Sequence, residues 1–239
     1  MSERKGKSNV RRSLVETRIL DEAAALFAER GFAETSLQDV ADALGIGRTA
    51  LYHYIGSKDE LLETLVKGLT QVTAESLEQI ASEPTLDPLN RLRTAAHTMA
   101  ARIADSPGKF RLLLVSEGAL AEPTASEHAR ARVRSLNALT RIVEEGVDGG
   151  DLRPVDPHLA AFALLGMVNW IAWWYRPERI AGQTPASVAD AFADLAVEML
   201  RSDRGIQAGA RAVPDLLRIL REDIDLLENA IQASSGRTA

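Results

Sequence analysis

Apolar positions recur along this chain at spacings of three and four over most of its length, the pattern of helices with one buried side. In LVETRILDEAAALFAERGF, Leu14, Ile19, Ala23, Leu26 and Phe27 fall close to that period, and Gly31 supplies a stop. TSLQDVADALG opens on the hydroxyls Thr35 and Ser36 and sets Asp39 three residues after Ser36. It gathers Leu37, Val40, Ala41 and Leu44 on one face and stops at Gly45. A very short helix is predicted over 47–54. Ser57 then caps KDELLETLVKGLTQVTAESLEQIA, where Asp59 and Glu60 favour the positive end of the helix.

Proline punctuates the remainder of the chain. Asp87-Pro88, Asp156-Pro157 and Thr184-Pro185 each read as an N-cap with proline in the first turn. Ser106-Pro107-Gly108, Glu122-Pro123 and Gly149-Gly150 separate further helices. Strand signals are almost absent, and there is no repeat or low-complexity tract. The pattern predicts an all-α chain of nine to ten helices. It divides into a basic flexible arm (1–13), a helix-turn-helix unit (14–60), a larger helical bundle (61–202) and an extra amphipathic helix with a tail (203–239). In that last part Leu217, Leu220, Ile224, Leu227 and Ile231 form a seam of alternating three and four spacing.

Composition adds three constraints. Of 239 residues 46% are apolar, enough for a real core, and the formal net charge is −6. The charge is uneven: residues 1–18 carry six basic side chains against Glu3 and Glu16, a local balance of +4 that leaves −10 for the rest. With no cysteine, disulfides, thiolate metal sites and cysteine nucleophiles are excluded. No apolar run approaches the roughly 18–20 residues that span a bilayer, and the N-terminus lacks a signal-peptide core. A cytoplasmic protein without a membrane partner is expected.

The chemistry concentrates at LGIGRTALYHYIGSKDELL. Two short helices joined through Leu44-Gly45-Ile46-Gly47 form a helix-turn-helix, in which the second helix can enter a DNA major groove. Arg48 and Thr49 sit in its first half, with Tyr52 and His53 one turn later on nearly the same face. Ala50, Leu51 and Tyr54 would face the small core. Geometry alone leaves DNA binding open, because many helical proteins use this turn without touching nucleic acid.

Residues 17–66, TRILDEAAALFAERGFAETSLQDVADALGIGRTALYHYIGSKDELLETLV, resemble the DNA-binding region of the tetracycline-repressor (TetR) family. The likeness lies in ALFAERGF, the hydroxyl pair, VADALGIGRTALYHYI and SKDELL, in that order. Ile55 stands where that family often has Phe. The resemblance implies a homodimeric transcriptional regulator, usually a repressor, that binds a palindromic operator in double-stranded DNA and answers to a small effector. It implies phosphate contacts from Thr35, Ser36 and Lys58, and base or phosphate contacts from Arg48, Thr49, Tyr52 and His53. The basic arm can add attraction by displacing counterions.

AAFALLGMVNWIAWWYRPER, residues 160–179, holds all three tryptophans. Met167, Asn169, Trp170, Trp173, Trp174 and Arg176 are candidates for a pocket wall, with core or dimer interface as the commoner fate of such a face. Together with its lead-in, the segment is similar to the ligand domain of a TetR branch that senses acyl-CoA thioesters. That implies a hydrophobic effector with a charged head, which Arg91, Arg93, Arg102, Lys109, Arg111 and Arg176 are available to meet. A free fatty acid, sterol or lipophilic drug is the alternative. The resemblance further implies dimerisation through helices at about 157–176 and 185–201, the second striped by Val188, Phe192, Leu195, Met199 and Leu200. No cofactor is expected: His53, His97, His128 and His158 make no metal spacing, and no catalytic or nucleotide motif is present, so an enzyme is disfavoured.

Overall fold

A computed structural model describes residues 2–176 and 182–202, with side chains from residue 14 onward. Among these residues the chain forms ten α-helical segments and one 3-10 turn. They are α1 (Ser2–Arg30), α2 (Leu37–Leu44), α3 (Arg48–Tyr52), α4 (Lys58–Ala81), α5 (Pro88–Asp105), α6 (Pro107–Ser116), α7 (Thr124–Gly149), α8 (Pro157–Asn169), α9 (Ile171–Trp174) and α10 (Pro185–Leu200). The predicted helix at 203–239 lies outside the described residues. The backbone of the expected N-terminal arm is helical and continuous with α1.

The local punctuation explains where these helices begin and end. Ser36 accepts from the Asp39 amide while the Asp39 carboxylate accepts from the Ser36 amide, a reciprocal capping box. Gly45 closes α2 at φ 66°, a left-handed conformation that costs a residue without Cβ little. Ser57, Asp87, Asp156 and Thr184 each accept an amide hydrogen bond at the start of α4, α5, α8 and α10, and proline fills the first turn of the last three. One expected helix is broken: the segment at 157–176 divides at Trp170 into α8 and α9.

Two apolar clusters form. The smaller joins Ile19, Ala23 and Phe27 of α1, Val40 of α2, Leu51 of α3, and Leu61, Leu62, Leu65 and Val66 of α4. Leu112 and Leu113 of α6 complete it, so its boundary is not sequential. Burying each leucine contributes about 1.5–3 kcal/mol, and together they seat the short α3, too brief to be stable alone. The larger cluster unites the second half of α4 with α5, α7, α8, α9 and α10. Phe110 of α6 packs against both. The α10 stripe is turned mostly inward: Val188 and Leu200 are buried, Phe192 and Met199 pack on the core, and only Leu195 is exposed.

Candidate nucleic-acid interface and ligand cavity

Helix α3 is anchored by Leu51, which is fully buried, and by Ile55 just beyond it. Rotation by about 100° per residue then turns Arg48, Thr49, Tyr52 and His53 outward, and all four are exposed. Ala50, expected in the core, is exposed as well. Tyr54 is half-buried against the small core. Arg48 is not free on this face: its Nη2 donates to Tyr52 Oη at 3.1 Å, with the guanidinium carbon 5.4 Å from the ring centroid. The tyrosine thus limits the directions in which the guanidinium can point.

The remaining predicted phosphate contacts are placed differently. Thr35 is buried, its hydroxyl donating to Gly31 O at 2.9 Å and Leu26 O at 3.4 Å. It closes the carbonyl-rich end of α1 and does not reach solvent. Lys58 Nζ donates to Phe32 O (2.7 Å), Thr35 O (3.0 Å) and Ala33 O (3.2 Å), 4.4 Å from the centre of the Phe32 ring. A cation suits these carbonyls, which lie in the connection between α1 and α2. Ser36 is exposed, yet its hydroxyl proton goes to Asp39 Oδ2 at 2.5 Å. That hydrogen bond is the main reason the Asp39 carboxyl is held below its ordinary value, with Arg30 adding a smaller pull. Sequence reasoning took the whole hydroxyl pair and the lysine as outward groups. Four of the seven form an exposed face, and three are engaged within the protein.

A cavity of about 500 Å³ opens among α4, α5, α6, α7 and α8. Its walls are mostly aliphatic and aromatic, with Met99, Ile103, Phe110, Leu113, Phe162 and Val168 prominent. Such a volume and lining suit a small lipophile. Of the six predicted ligand residues only Asn169 lines it. Trp170 and Trp173 are 63% and 41% exposed on the outer side of α8 and α9, tilted against each other with centroids 6.5 Å apart. Trp174 stacks on Phe192 at 6.3 Å, and Met167 packs against the larger core. Arg176 donates to its neighbour's carbonyl, Tyr175 O, at 2.8 Å. The tryptophan-rich segment is therefore an outer apolar face and a core contact.

The basic residues suggested for a charged head are also engaged. Arg91 meets Glu145 at 2.5 Å, Arg93 meets Asp194 at 2.8 Å, and Lys109 pairs with Asp21 of α1. Arg111 donates twice to Ala172 O, at 2.7 and 3.0 Å. Burial, together with the neighbouring Arg176, pulls the Arg111 pKa below its ordinary value. Arg102 donates to Thr73 Oγ1, a hydroxyl of the cavity lining, at 3.2 Å.

Sequence reasoning missed the ionisable residues that line the cavity, Glu117, His128 and Arg132. A signal existed for His128: the buried face of α7, Ala131, Ser135, Ala138 and Ile142, extends back at helical spacing onto it. Glu117 pairs with Arg132 and lies 3.7 Å from His128 Nε2. Burial is the chief reason the His128 pKa falls below its ordinary value. Glu117 opposes that shift and Arg132 adds to it.

No helix among the described residues is long and apolar enough to cross a membrane. Residues 19–65 match the model of bacterial regulatory proteins of the tetR family, and residues 85–200 match a tetracyclin repressor-like C-terminal domain. The HTH-type transcriptional repressor KstR2 of Rhodococcus jostii is 31% identical over 197 residues, covering 78% of this chain and 91% of that protein. The crystal structure of the regulator PfmR from Thermus thermophilus is 34% identical, with a TM-score of 0.66 over 76% of this chain and 97% of that one. AibR, solved with isovaleryl coenzyme A and operator DNA, is 27% identical, with a TM-score of 0.62 over 75% of this chain and 96% of that one. The outward face on α3, the cavity and these likenesses in both halves agree: this chain belongs to the tetR family of ligand-responsive, DNA-binding transcriptional regulators, which are not enzymes.

Proposed function

We propose that this protein is a cytoplasmic repressor that binds a palindromic operator as a homodimer and is released when a hydrophobic effector fills the 500 Å³ cavity. The observation that carries this reading is the double role of α6. Its Leu112 and Leu113 belong to the core that seats α3, while Leu113, Leu114 and Glu117 of the same stretch line the cavity. The ion pair from Lys109 to Asp21 ties α6 to α1. An effector that favours a different seating of α6 therefore favours a different carriage of the recognition helix, and the population moves away from the DNA-bound arrangement. Coupling of about 1–3 kcal/mol, typical of such linkage, corresponds to a 5- to 150-fold loss of operator affinity.

The outer face of α8 and α9 supports the dimer. Leu159, Trp170 and Trp173 are exposed there, more large apolar surface than scattered positions on a monomer explain. A two-fold axis through this face presents two α3 helices to half-sites one helical turn, or a multiple of it, apart.

An acyl-CoA thioester is the first effector to test, given what AibR was solved with. The cavity holds its acyl part, and the nucleotide head must lie outside, near Arg102. A neutral lipophilic drug or sterol is the second reading, favoured by the pairing of Arg132, a cation of the lining, with Glu117. The test is an electrophoretic mobility shift on the DNA upstream of the protein's own gene, with and without acyl-CoAs of graded length, alongside native mass spectrometry for co-purifying lipids. A retarded complex that one thioester abolishes supports the reading. Failure to retard any genomic fragment at low salt refutes it, since electrostatic attachment should be strongest there.

A further inference from the structure

Most polar side chains that line the cavity are engaged within the protein, the half-buried Asn169 amide aside. Thr70 donates to Val66 O at 2.9 Å, Thr73 to Leu69 O at 2.7 Å and Ser135 to Ala131 O at 3.0 Å, all backbone carbonyls of their own helices. Glu117 and Arg132 hold each other at the rim. His128 is different. It is only 5% exposed, it lines the cavity, and among the described lining residues its Nδ1 is the buried side-chain atom without a hydrogen-bond partner. An unpaired buried polar atom is destabilising, and a ligand group that completes it recovers that loss.

The environment of the ring decides which kind of group fits. Nε2 faces the Glu117 carboxylate oxygen at 3.7 Å. In a neutral imidazole one nitrogen bears the proton and the other offers a lone pair. A lone pair aimed at a carboxylate is repelled, so the proton sits on Nε2 and Nδ1 is left as an acceptor. Burial keeps the ring neutral, as the lowered His128 pKa indicates. The unpaired Nδ1 of this cavity-lining ring therefore calls for a donor, which reaches the enclosed atom by a small turn of the side chain.

We propose that the effector is a hydroxylated lipophile whose O–H donates to His128 Nδ1 inside the cavity. This rests on the reading of the cavity as the effector site, and it narrows that reading to a chemical class. A purely aliphatic acyl chain leaves Nδ1 unpaired, and a ketone or ester oxygen presents a second acceptor to it.

The test uses two probes of equal length, 1-octanol and 2-octanone, titrated into the full chain and followed by NMR of methyl groups and of 15N-labelled histidines. The expected result is that 1-octanol binds about two- to tenfold more tightly, the worth of one net hydrogen bond, and shifts the His128 Nδ1 resonance. His128→Phe, which keeps the volume, should bring the two probes level. Equal or tighter binding of 2-octanone, or an imidazole already protonated at Nδ1 in the wild-type protein, overturns the proposal while leaving the cavity as the effector site. Failure of both probes to perturb cavity methyl groups overturns the effector site itself. The histidine spectrum of the wild-type protein answers the tautomer question even if the variant does not fold.

Discussion

Lys58 separates two physical roles that predict opposite experiments. As a phosphate contact it would contribute to DNA affinity through counterion release, and its loss would flatten the salt dependence by about 0.9 in log–log slope. The structure instead commits Nζ to three backbone carbonyls 23–26 residues away and to the face of Phe32. Hydrogen bonds from a charged donor contribute about 1.5–3 kcal/mol each when sheltered. These three share one ammonium, and one of them is exposed, so the sum is far from additive. A cation over an aromatic ring at such a site adds about 0.5–1 kcal/mol. Lys58→Met keeps most of the aliphatic stem and removes the charge, so a loss of about 2–3 kcal/mol is expected for the N-terminal unit. With a urea slope of about 1–3 kcal/mol per molar, the unfolding midpoint of that unit should fall by about 1 M. Circular dichroism through a urea series measures the first quantity, and fluorescence anisotropy of operator DNA across a salt series measures the second. A reduced midpoint with an unchanged salt slope for the remaining folded protein is the expected pair. An unchanged midpoint with a slope reduced by about 0.9 would show that the lysine leaves its carbonyls for a phosphate and would refute the structural role.

Three shorter predictions rest on the same geometry. Tyr52→Phe removes the acceptor that fixes Arg48 Nη2 at 3.1 Å; operator affinity should fall by about two- to tenfold, the worth of one hydrogen bond, with unfolding unchanged, and equal affinity by anisotropy would mean that the pairing does not position Arg48 on DNA. Trp170→Glu puts a charge on a residue 63% exposed in this chain, so light scattering after gel filtration should report half the wild-type mass; an unaltered dimer would place the two-fold axis elsewhere. The third concerns pH: His128 is held neutral by burial, with Glu117 and Arg132 the charged groups beside it. Its folded pKa lies below the unfolded value of about 6.5, so the unfolded chain binds the extra proton first as pH falls. Stability should therefore be full above about pH 6.5 and decline as pH drops toward the folded pKa. His128→Phe should lose that slope in urea midpoints measured between about pH 7 and 5, and an identical slope in the variant would assign it to other groups.

Much of the fold was legible because its signals are local. The capping box of Ser36 and Asp39, the left-handed Gly45 and the three Asp-Pro or Thr-Pro starts each involve residues within one turn of one another. The outward set Arg48, Thr49, Tyr52 and His53 comes from helical rotation once Leu51 is known to be inward. The ligand side was less legible. Helix α8, PHLAAFALLGMVN, is apolar almost all round, so its sequence has no polar side to tell core from outer face. The tryptophans near its end are conspicuous by size, yet size does not fix direction. Similar doubt applied to Thr35 and Ser36, adjacent hydroxyls of which one caps α2 and the other is drawn inside by the carbonyls of Leu26 and Gly31.

By itself the sequence determined an all-helical chain, the limits of most helices and the polar side chains that α3 turns outward, because caps, glycine stops and the 3.6-residue period act over a few residues. The tertiary structure alone decided that Lys58 binds the connection between α1 and α2, that Trp170 and Trp173 face outward, and that α6 belongs to both cores. It also decided that His128 stands unpaired beside a cavity walled by five helices. Those outcomes depend on which faces meet across tens of residues of chain, and dispersion and burial act on whatever surfaces come together, whatever their order in the sequence.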